Sequence, residues 1–212
     1  GPTIPGDFTR IDTEFPQAGP EGRLHHTVDE GAANAYRGAG NSRHGGILNG
    51  RDKHVAAAAG YLPNGNPAPG PKFGYKLSWM ERMRARAAGL LGEEVPVVLA
   101  GDYNVIPQAE DAARPEAWVE DALYLPESRA GLRRIEYLGY TDAFRARDQR
   151  PGQYSFWDYQ AGAWARNNGI RIDHLLLSPQ AADLLRGAGI DRAVRGGDKP
   201  SDHVPVWIDL DA

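Results

Sequence analysis

Apolar residues recur at intervals of three and four positions from Tyr75 onward, and this spacing predicts an amphipathic helix. Gly92 marks its end. Between the apolar positions stand three arginines that fall mostly on other faces, and we interpret them as a solvated surface rather than a nucleic-acid site. The apolar stripe consists of Leu77, Met80, Met83, Ala87 and Leu90 or Leu91, and the arginines are Arg82, Arg84 and Arg86.

Short apolar runs after this helix predict strands. The clearest is 95–102, which has the composition of a strand that is buried on both faces. Further strands are predicted at 154–159, 170–177 and 204–210, with a helix-rich segment at 116–137 broken at Pro126 and a short helix at 179–185. Strands that alternate with helices favour an α/β or α+β layered sandwich over an all-α or all-β fold.

The stretch before the long helix combines a predicted hairpin with a loop. Residues 47–61 are apolar on either side of a polar run, and Asn49-Gly50 predicts a tight turn between two strands. Residues 62–71 are rich in proline, glycine and asparagine, which predicts a structured loop or a linker. Residues 1–45 show neither the strand nor the helix period, and we interpret them as largely irregular.

Composition narrows the classes of protein to consider. The 212 residues, 41% hydrophobic and 25% charged, fit one globular domain. We expect a cytoplasmic protein without a membrane anchor, because no apolar run reaches about 18 residues and the start lacks a signal-peptide pattern. The absence of cysteine leaves oxygen and imidazole as metal ligands. A net charge of -4 argues against binding to nucleic acid by bulk electrostatics, but not against an enzyme with acidic residues at a metal ion.

Three polar clusters lie at the edges of predicted strands. Asp102 and Asn104 follow the first apolar strand, and residues two apart point to the same side of an extended chain. Asp173 lies within an apolar strand, where a buried carboxylate requires a partner. Asp202 and His203 immediately precede the last strand. A rigid sheet can therefore direct all three clusters at one point.

One arrangement accounts for these clusters together. Asp173 would accept a hydrogen bond from His203, so that the other imidazole nitrogen faces the substrate and orients or deprotonates a water. Asp102 would assist proton transfer, while Asp202 and Asn104 would bind a divalent ion or a phosphate oxygen. Oxygen ligands favour Mg²⁺ or Mn²⁺ acting at a phosphoryl group. The alternative is a set of capped turns with one buried Asp–His hydrogen bond.

Five short motifs follow one another along the chain: Gly60-Tyr-Leu-Pro-Asn-Gly, Leu99-Ala-Gly-Asp-Tyr-Asn, Ser155-Phe-Trp-Asp-Tyr, Arg171-Ile-Asp-His-Leu-Leu and Lys199-Pro-Ser-Asp-His-Val-Pro-Val. In order and approximate spacing they resemble the exodeoxyribonuclease III and apurinic endonuclease branch of the endonuclease/exonuclease/phosphatase superfamily. The resemblance runs from about residue 46 to the end. It implies a four-layer α/β sandwich, in which helices flank two facing β-sheets and the site lies at one end of the sheets.

The resemblance also implies roles for single residues. Tyr61 would contact the phosphate, and Asp102 and Asn104 would serve proton transfer and the orientation of the attacking water. Asp173 would support His203.

Further roles concern the metal and the substrate. Asp202 would lie near the metal. Phe156 and Trp157 would fill the pocket for an abasic sugar or a terminal nucleotide, although ordinary core packing is the alternative for both. Arg171 is a candidate for substrate binding, as are Arg145, Arg147 and Arg166 for the DNA backbone, with solvated or structural charges as the alternative.

The beginning of the chain departs from the family pattern. The relatives open with a strand carrying Trp-Asn and a later strand ending in Gln-Glu, whose glutamate is a principal metal ligand. Glu14 and Glu30 come nearest in sequence order, but neither follows an apolar strand. His25, His26 and His44 lack a matching acid, and we interpret them as surface residues. We therefore predict a divergent segment at 1–45 and a catalytic domain at 46–212 that lacks the usual N-terminal strands.

Taken together, the motifs imply a monomeric DNA repair phosphodiesterase that uses Mg²⁺ or Mn²⁺. Its substrate would be double-stranded DNA, cleaved 5′ to abasic sites or degraded from 3′ ends. Two alternatives are a truncated, catalytically silent remnant that binds DNA, and a phosphatase or phospholipase of the same superfamily. Phe156, Trp157 and the Pro-Asn-Gly-Asn-Pro loop at 63–67 favour DNA over a phospholipid or inositol phosphate.

Overall fold

The structure is a computed structural model that describes residues 23–26, 47–51 and 56–211, with side chains from residue 60 onward. Its strands are β1 (Arg23–His26), β2 (Ile47–Arg51), β3 (Ala56–Tyr61), β4 (Val97–Asp102), β5 (Thr141–Asp142), β6 (Asp173–Leu177), β7 (Leu185–Ile190) and β8 (Val206–Leu210). They form one sheet of order β1-β8-β7 and one of order β2-β3-β4-β6-β5. All neighbouring strands are antiparallel except β3 and β4, which are parallel.

Within the described residues, four α-helices accompany the sheets: α1 (Pro71–Leu91), α2 (Pro126–Glu136), α3 (Ala143–Arg147) and α4 (Pro179–Asp183). Short 3-10 helices occur at Ala109–Asp111, Pro115–Trp118, Gln160–Gly162 and Arg192–Gly196. Three of the four α-helices begin with proline, whose fixed φ and missing N–H suit the first helical position. The break predicted at Pro126 is therefore the start of α2.

Two apolar clusters hold the layers together. In the first, α1 and α2 pack on one face of the five-stranded sheet, and Met80 of α1 meets Leu132 of α2 above Leu99 of β4. In the second, the other face of that sheet packs on the three-stranded sheet, where Val98 and Leu175 lie in one cluster with Ile208. The described residues thus show a layer of helices followed by two facing sheets, as expected for the mixed α/β sandwich.

Several boundaries differ from the sequence-based expectation. Asn49-Gly50 does not form the turn of the hairpin, because both residues lie inside β2 and pair with Ala58 and Ala57 of β3. Residues 154–159 are not a strand, and Phe156 makes only isolated bridges to Ile170 and His203. Within the segment interpreted as irregular, β1 pairs with β8.

Other expectations fall on parts of the chain that lie outside the described residues. Glu14, Glu30 and His44 are among them, as are the side chains of His25 and His26. In the described part of the chain, no helix combines the length and apolar character needed to cross a bilayer.

Candidate active site

Three strand ends of the five-stranded sheet bring predicted site residues side by side. Tyr61 ends β3 and is the Cα partner of Asp102, the last residue of β4. Asp102 is in turn the Cα partner of Asp173, the first residue of β6. These three residues occupy adjacent positions across the sheet, so its register alone places a phenol beside two carboxylates.

Gly101 allows β4 to deliver Asp102 to this position. Its φ of 151° lies where residues with a side chain are strained. A Cβ built on Gly101 would stand 1.8 Å from the carbonyl oxygen of Gly60 on the neighbouring strand. The close approach of β3 and β4 next to the site therefore requires glycine at position 101.

Asp102 and Asn104 form a closed local arrangement just after β4. The backbone N–H of Asn104 donates to Oδ1 of Asp102 at 2.8 Å, and its side-chain Nδ2 donates to Oδ2 of Asp102 at 3.0 Å. The same amide donates to the carbonyl oxygen of Leu62 at 2.8 Å. Asn104 adopts a φ of 47°, in the left-handed region that asparagine tolerates better than most residues. The turn alternative and the site interpretation thus describe the same geometry.

The hydrogen bond predicted between Asp173 and His203 is present. Nδ1 of His203 lies 2.9 Å from Oδ2 of Asp173, and both side chains are largely buried. Ser155 also holds this carboxylate, because its Oγ donates to Oδ2 at 2.6 Å and accepts the backbone N–H of Asp173 at 3.2 Å. Ser155 had been noticed only as part of a motif.

Burial and neighbouring charges shift the pKa values of the His203 imidazole and the Asp102 carboxyl. Burial disfavours the charged ring of His203, but the neighbouring Asp173, followed by Asp102 and Asp202, raises its pKa to about 10. Burial and repulsion by Asp173 raise the pKa of Asp102 to about 7, while His203 and the N–H of Asn104 act in the opposite direction. At neutral pH the ring is therefore protonated, and Asp102 is close to its midpoint.

Tyr61 and Asp202 complete the exposed side of the site. Tyr61 is 45% exposed, and partial burial together with the charges of Asp102, Asp202 and Asp173 raises the pKa of its phenol. The phenol therefore remains protonated at neutral pH and can donate a hydrogen bond. Asp202 is half-buried, and its backbone carbonyl accepts the N–H of Trp157 at 2.9 Å.

The two aromatic residues expected in the substrate pocket differ in position. Phe156 is half-buried and packs edge-on against the His203 ring, with 4.9 Å between ring centroids. Trp157 is 0% exposed and packs against Tyr154 and Trp164, so it belongs to the core and cannot touch a substrate in this structure. The alternative of core packing holds for Trp157.

Arg171 does not contact the substrate side of the site. It is 1% exposed, and its guanidinium bonds Asp111 at 2.7 Å and Asp142 at 2.7 Å. The reason is internal charge balance, since two buried carboxylates need a cation. Arg145 joins the same network through Asp111.

The remaining two arginines are exposed. Arg147 donates to the carbonyl oxygens of Leu185 and Arg186 at the end of the other sheet. Arg166 also lies at the surface. Of the four arginines considered for DNA, Arg166 is therefore the one whose guanidinium forms no hydrogen bond or ion pair with another described residue.

Two residues that sequence reasoning missed adjoin Asp102 and Asn104. Lys76 on α1 is fully buried, and its ammonium lies within hydrogen-bond distance of the carbonyl oxygen of Asn104. Burial lowers the pKa of Lys76 to about 7, and the charges of Asp102 and Asp121 oppose that shift. Asn64 reaches Oδ1 of Asn104 through Nδ2 at 3.4 Å. The signal for Lys76 was its spacing of four and seven residues from Met80 and Met83, which places it on the buried stripe.

A metal site is only partly represented among the described side chains. Within residues 60–211, no group of three or more His, Cys, Asp or Glu side chains could hold a metal ion. The carboxylates of Asp102 and Asp173 are already engaged by Asn104 and by His203 with Ser155. The described residues therefore do not form a complete metal site by themselves, and Asp202 is the candidate ligand they offer.

An acid–imidazole pair and a second carboxylate at the end of two facing sheets are features of metal-assisted phosphoesterases with an α/β sandwich. Sequence comparison agrees with this class. Residues 6–203 match the Endonuclease/Exonuclease/phosphatase family, and the chain belongs to that family. The match begins at residue 6, well before the boundary at residue 46 that the motifs had suggested.

Individual relatives make the likeness more specific. The chain is 30% identical over 159 residues to exodeoxyribonuclease III of Haemophilus influenzae, which covers 71% of this chain and 60% of that enzyme. It is similar in structure to an AP endonuclease from Archaeoglobus fulgidus, with a TM-score of 0.75, 28% identity and coverage of 78% of this chain and 65% of the other. It also resembles the 3′ phosphatase NExo from Neisseria bound to a product DNA hairpin, with a TM-score of 0.76, 30% identity and coverage of 78% and 65%. The chain thus spans about three fifths of these relatives.

Proposed function

We propose that this chain is a DNA repair phosphodiesterase that cleaves 5′ to abasic sites and removes nucleotides from 3′ ends. The hydrogen-bonded pair of Asp173 and His203, set beside Asp102 at the end of the sheet, is the observation that carries this proposal. Family membership and the names of the relatives support a nuclease. The substrate is double-stranded DNA with an abasic site or a 3′ end.

The electrostatics assign different tasks to the imidazole and the acids. With a pKa of about 10, His203 is charged at neutral pH, so it donates one N–H to Asp173 and offers the other to a phosphate oxygen. In this charged form the ring orients the reactants, whereas the sequence-based alternative, in which it deprotonates the water, requires the neutral ring. Asp102, with a pKa of about 7, is suited to accept that proton as the water attacks phosphorus.

The other residues orient the reactants. Asn104 holds the Asp102 carboxylate through two hydrogen bonds, and the exposed Tyr61 phenol donates to a phosphate oxygen. Phe156 forms the apolar wall next to the His203 ring, against which a sugar packs. The oxygen of water forms the new bond to phosphorus, and the bond from phosphorus to the 3′ oxygen breaks on the opposite side in an in-line displacement. The departing 3′ oxygen takes a proton from solvent water and becomes a hydroxyl.

The cofactor proposed is Mg²⁺, with Mn²⁺ as a substitute, and Asp202 is one of its ligands. When bound, such an ion acts as a Lewis acid on the phosphoryl group. The monomeric state and the cytoplasmic location stay predictions from the sequence.

A second candidate is removal of a 3′ phosphate from DNA. It is favoured by the similarity to the Neisseria enzyme described as a 3′ phosphatase. Three duplexes distinguish the activities: one with an abasic site, one with a 3′ hydroxyl end and one with a 3′ phosphate. The proposal requires metal-dependent cleavage of the first two. Release of inorganic phosphate from the third alone supports the second candidate, and binding without turnover of any supports a silent remnant.

A further inference from the structure

Lys76 extends from α1 towards the site. It is the one charged residue among the buried residues of this helix. The carbonyl oxygens of Asn64, Asn104 and Ala122 lie 3.1 Å, 2.5 Å and 3.2 Å from its Nζ. Three acceptors around one nitrogen match the three N–H donors of an ammonium group. The ammonium group is thus hydrogen-bonded to backbone carbonyl oxygens rather than paired with a carboxylate.

These carbonyls belong to three different segments. Asn64 lies in the loop after β3, Asn104 lies in the turn after β4, and Ala122 precedes α2. A chain of side-chain contacts continues from two of them into the site, since Asn64 bonds Asn104 and Asn104 bonds Asp102. The buried ammonium therefore contacts the turn that carries Asn104 directly.

The surroundings of Lys76 fit its side chain closely. A Cβ on Gly65 would come within 2.7 Å of Cδ of Lys76 and within 3.2 Å of Cβ of Ala122. The φ of Gly65 is 91°, so glycine is required there both for conformation and for the lysine stem. The loop after β3 is thus closed directly over the lysine.

We propose that Lys76 is a positioning residue of the active site, whose ammonium fixes the turn of Asn104 and the loop of Asn64 relative to each other. The effect on catalysis rests on the proposed function, whereas the effect on the two asparagines does not. Removing the ammonium frees the carbonyl of Asn104, whose left-handed backbone then relaxes and releases the amide from Asp102. Lys76 itself does not touch the substrate.

The first test uses the wild-type chain labelled uniformly with ¹⁵N and ¹³C. An ammonium held by three carbonyls exchanges its protons slowly, so Lys76 gives a persistent ammonium signal with scalar couplings to the carbonyl carbons of Asn64, Asn104 and Ala122. No such signal from the folded chain at pH 6 overturns the proposal. This measurement needs no enzymatic activity and no variant.

The second test restores the charge on an altered side chain. The protein contains no cysteine, so the Lys76→Cys variant has a single thiol that can be alkylated in denaturant before refolding. Reaction with 2-bromoethylamine forms a C–S bond, releases bromide and yields a side chain of lysine length that ends in an ammonium. Reaction with 1-bromopropane yields a neutral side chain of the same length. Wild type carried through the same cycle controls for refolding.

The aminoethyl form should recover the side-chain amide resonances of Asn64 and Asn104 seen in the wild type, and the propyl form should not. On abasic DNA, kcat of the propyl form should fall by about 10²-fold with little change in KM, because the reacting groups are misplaced rather than lost. Arg86→Met removes an exposed charge from the same helix and should leave both readouts unchanged. Equal amide spectra in the two alkylated forms would refute the role of Lys76. If the wild type cuts no DNA, the proposed function fails, while the amide resonances still decide the role of Lys76.

Discussion

Asp102 lies directly opposite Asp173 across the antiparallel pair of β4 and β6, and this register brings two buried carboxylates together. Asp173 is occupied by His203 and Ser155, so its negative charge is retained. A second negative charge beside it is unfavourable, so burial and repulsion by Asp173 raise the pKa of Asp102 to about 7. One pairing between two strands thus produces an ion pair and a separate proton acceptor.

The Asp102→Asn variant should lose activity, and its stability relative to wild type should increase as the pH rises. The pKa of the Asp102 carboxyl is about 7 in the folded chain and 3.8 in the unfolded chain. The unfolded chain therefore releases this proton at a lower pH than the folded chain does. As a result, the wild type loses stability as the pH rises from about 4 to about 7. Asparagine has no proton to release. The free energy of unfolding of the variant relative to wild type should therefore increase by about 4 kcal/mol from pH 4 to pH 8, because the pKa values differ by about 3 units and each unit corresponds to about 1.4 kcal/mol.

Urea unfolding of both proteins at four pH values checks this expectation. Differences at a single pH include the altered hydrogen bond to Asn104, whereas the change with pH isolates the carboxyl group. A difference that stays constant from pH 4 to pH 8 would show that Asp102 titrates normally and is not the proton acceptor proposed.

His203→Ala should reduce kcat on abasic DNA by about 10²–10³-fold, the range typical of the loss of one hydrogen-bond donor to the transition state. Binding of DNA should change little, because the ring lies at the reacting phosphate and most affinity comes from the phosphate backbone. Tyr137→Ala provides a control that should retain full activity, because Tyr137 lies just after α2 and its side chain is largely exposed. Loss of DNA affinity in parallel with kcat would assign His203 to binding instead.

Gly101→Ala should destabilise the chain severely, because the new methyl group collides with the carbonyl oxygen of Gly60 and the φ of 151° is unfavourable. We expect a cost of about 3 kcal/mol or more, in the range of other strained or overpacked substitutions. Gly74→Ala is the matched control, since no atom lies within 4 Å of its Cβ and it stands in helix α1. That variant should gain about 0.5–1 kcal/mol.

Thermal unfolding of the two alanine variants decides this prediction. Similar midpoints for both would mean that β3 and β4 do not approach as closely at Gly101 as the structure shows.

Arg171→Met should act on stability and not on DNA recognition. It leaves Asp142 without its guanidinium partner and Asp111 with Arg145 alone, which costs about 3–5 kcal/mol. Arg166→Met removes an exposed guanidinium and should change stability by less than about 0.5 kcal/mol. If Arg166 contacts a DNA phosphate, its loss should reduce the salt dependence of binding by about one unit of slope. A stable Arg171→Met variant with weakened DNA binding would restore the original assignment of Arg171 to the substrate.

The sequence predicted the parts of this site that depend on strand order and local spacing. Asp102 and Asn104 follow a strand whose apolar run is unambiguous, and a carboxylate inside the apolar strand of Asp173 requires a partner. His203 was the available imidazole next to a strand. Their convergence follows from the sheet, so chemistry and periodicity were sufficient.

These patterns could not predict which distant residues pair with a buried charge or which side chains fill the core. Arg171 stands two residues before Asp173 and was assigned to the substrate, yet Asp111 and Asp142 bind it from distant segments. Trp157 is adjacent to the half-exposed Phe156 but points into the core. Asn49-Gly50 has the composition of a turn, but pairing with β3 extends the strand through it. Each result depends on neighbours that lie far away in sequence.

Incision of a duplex with one abasic site by this 212-residue chain tests the central claim most directly. We predict cleavage on the 5′ side that requires Mg²⁺ or Mn²⁺, stops with chelator and is lost in His203→Ala. Wild-type chain that is folded and binds the duplex but leaves it intact in the presence of either metal would contradict the account.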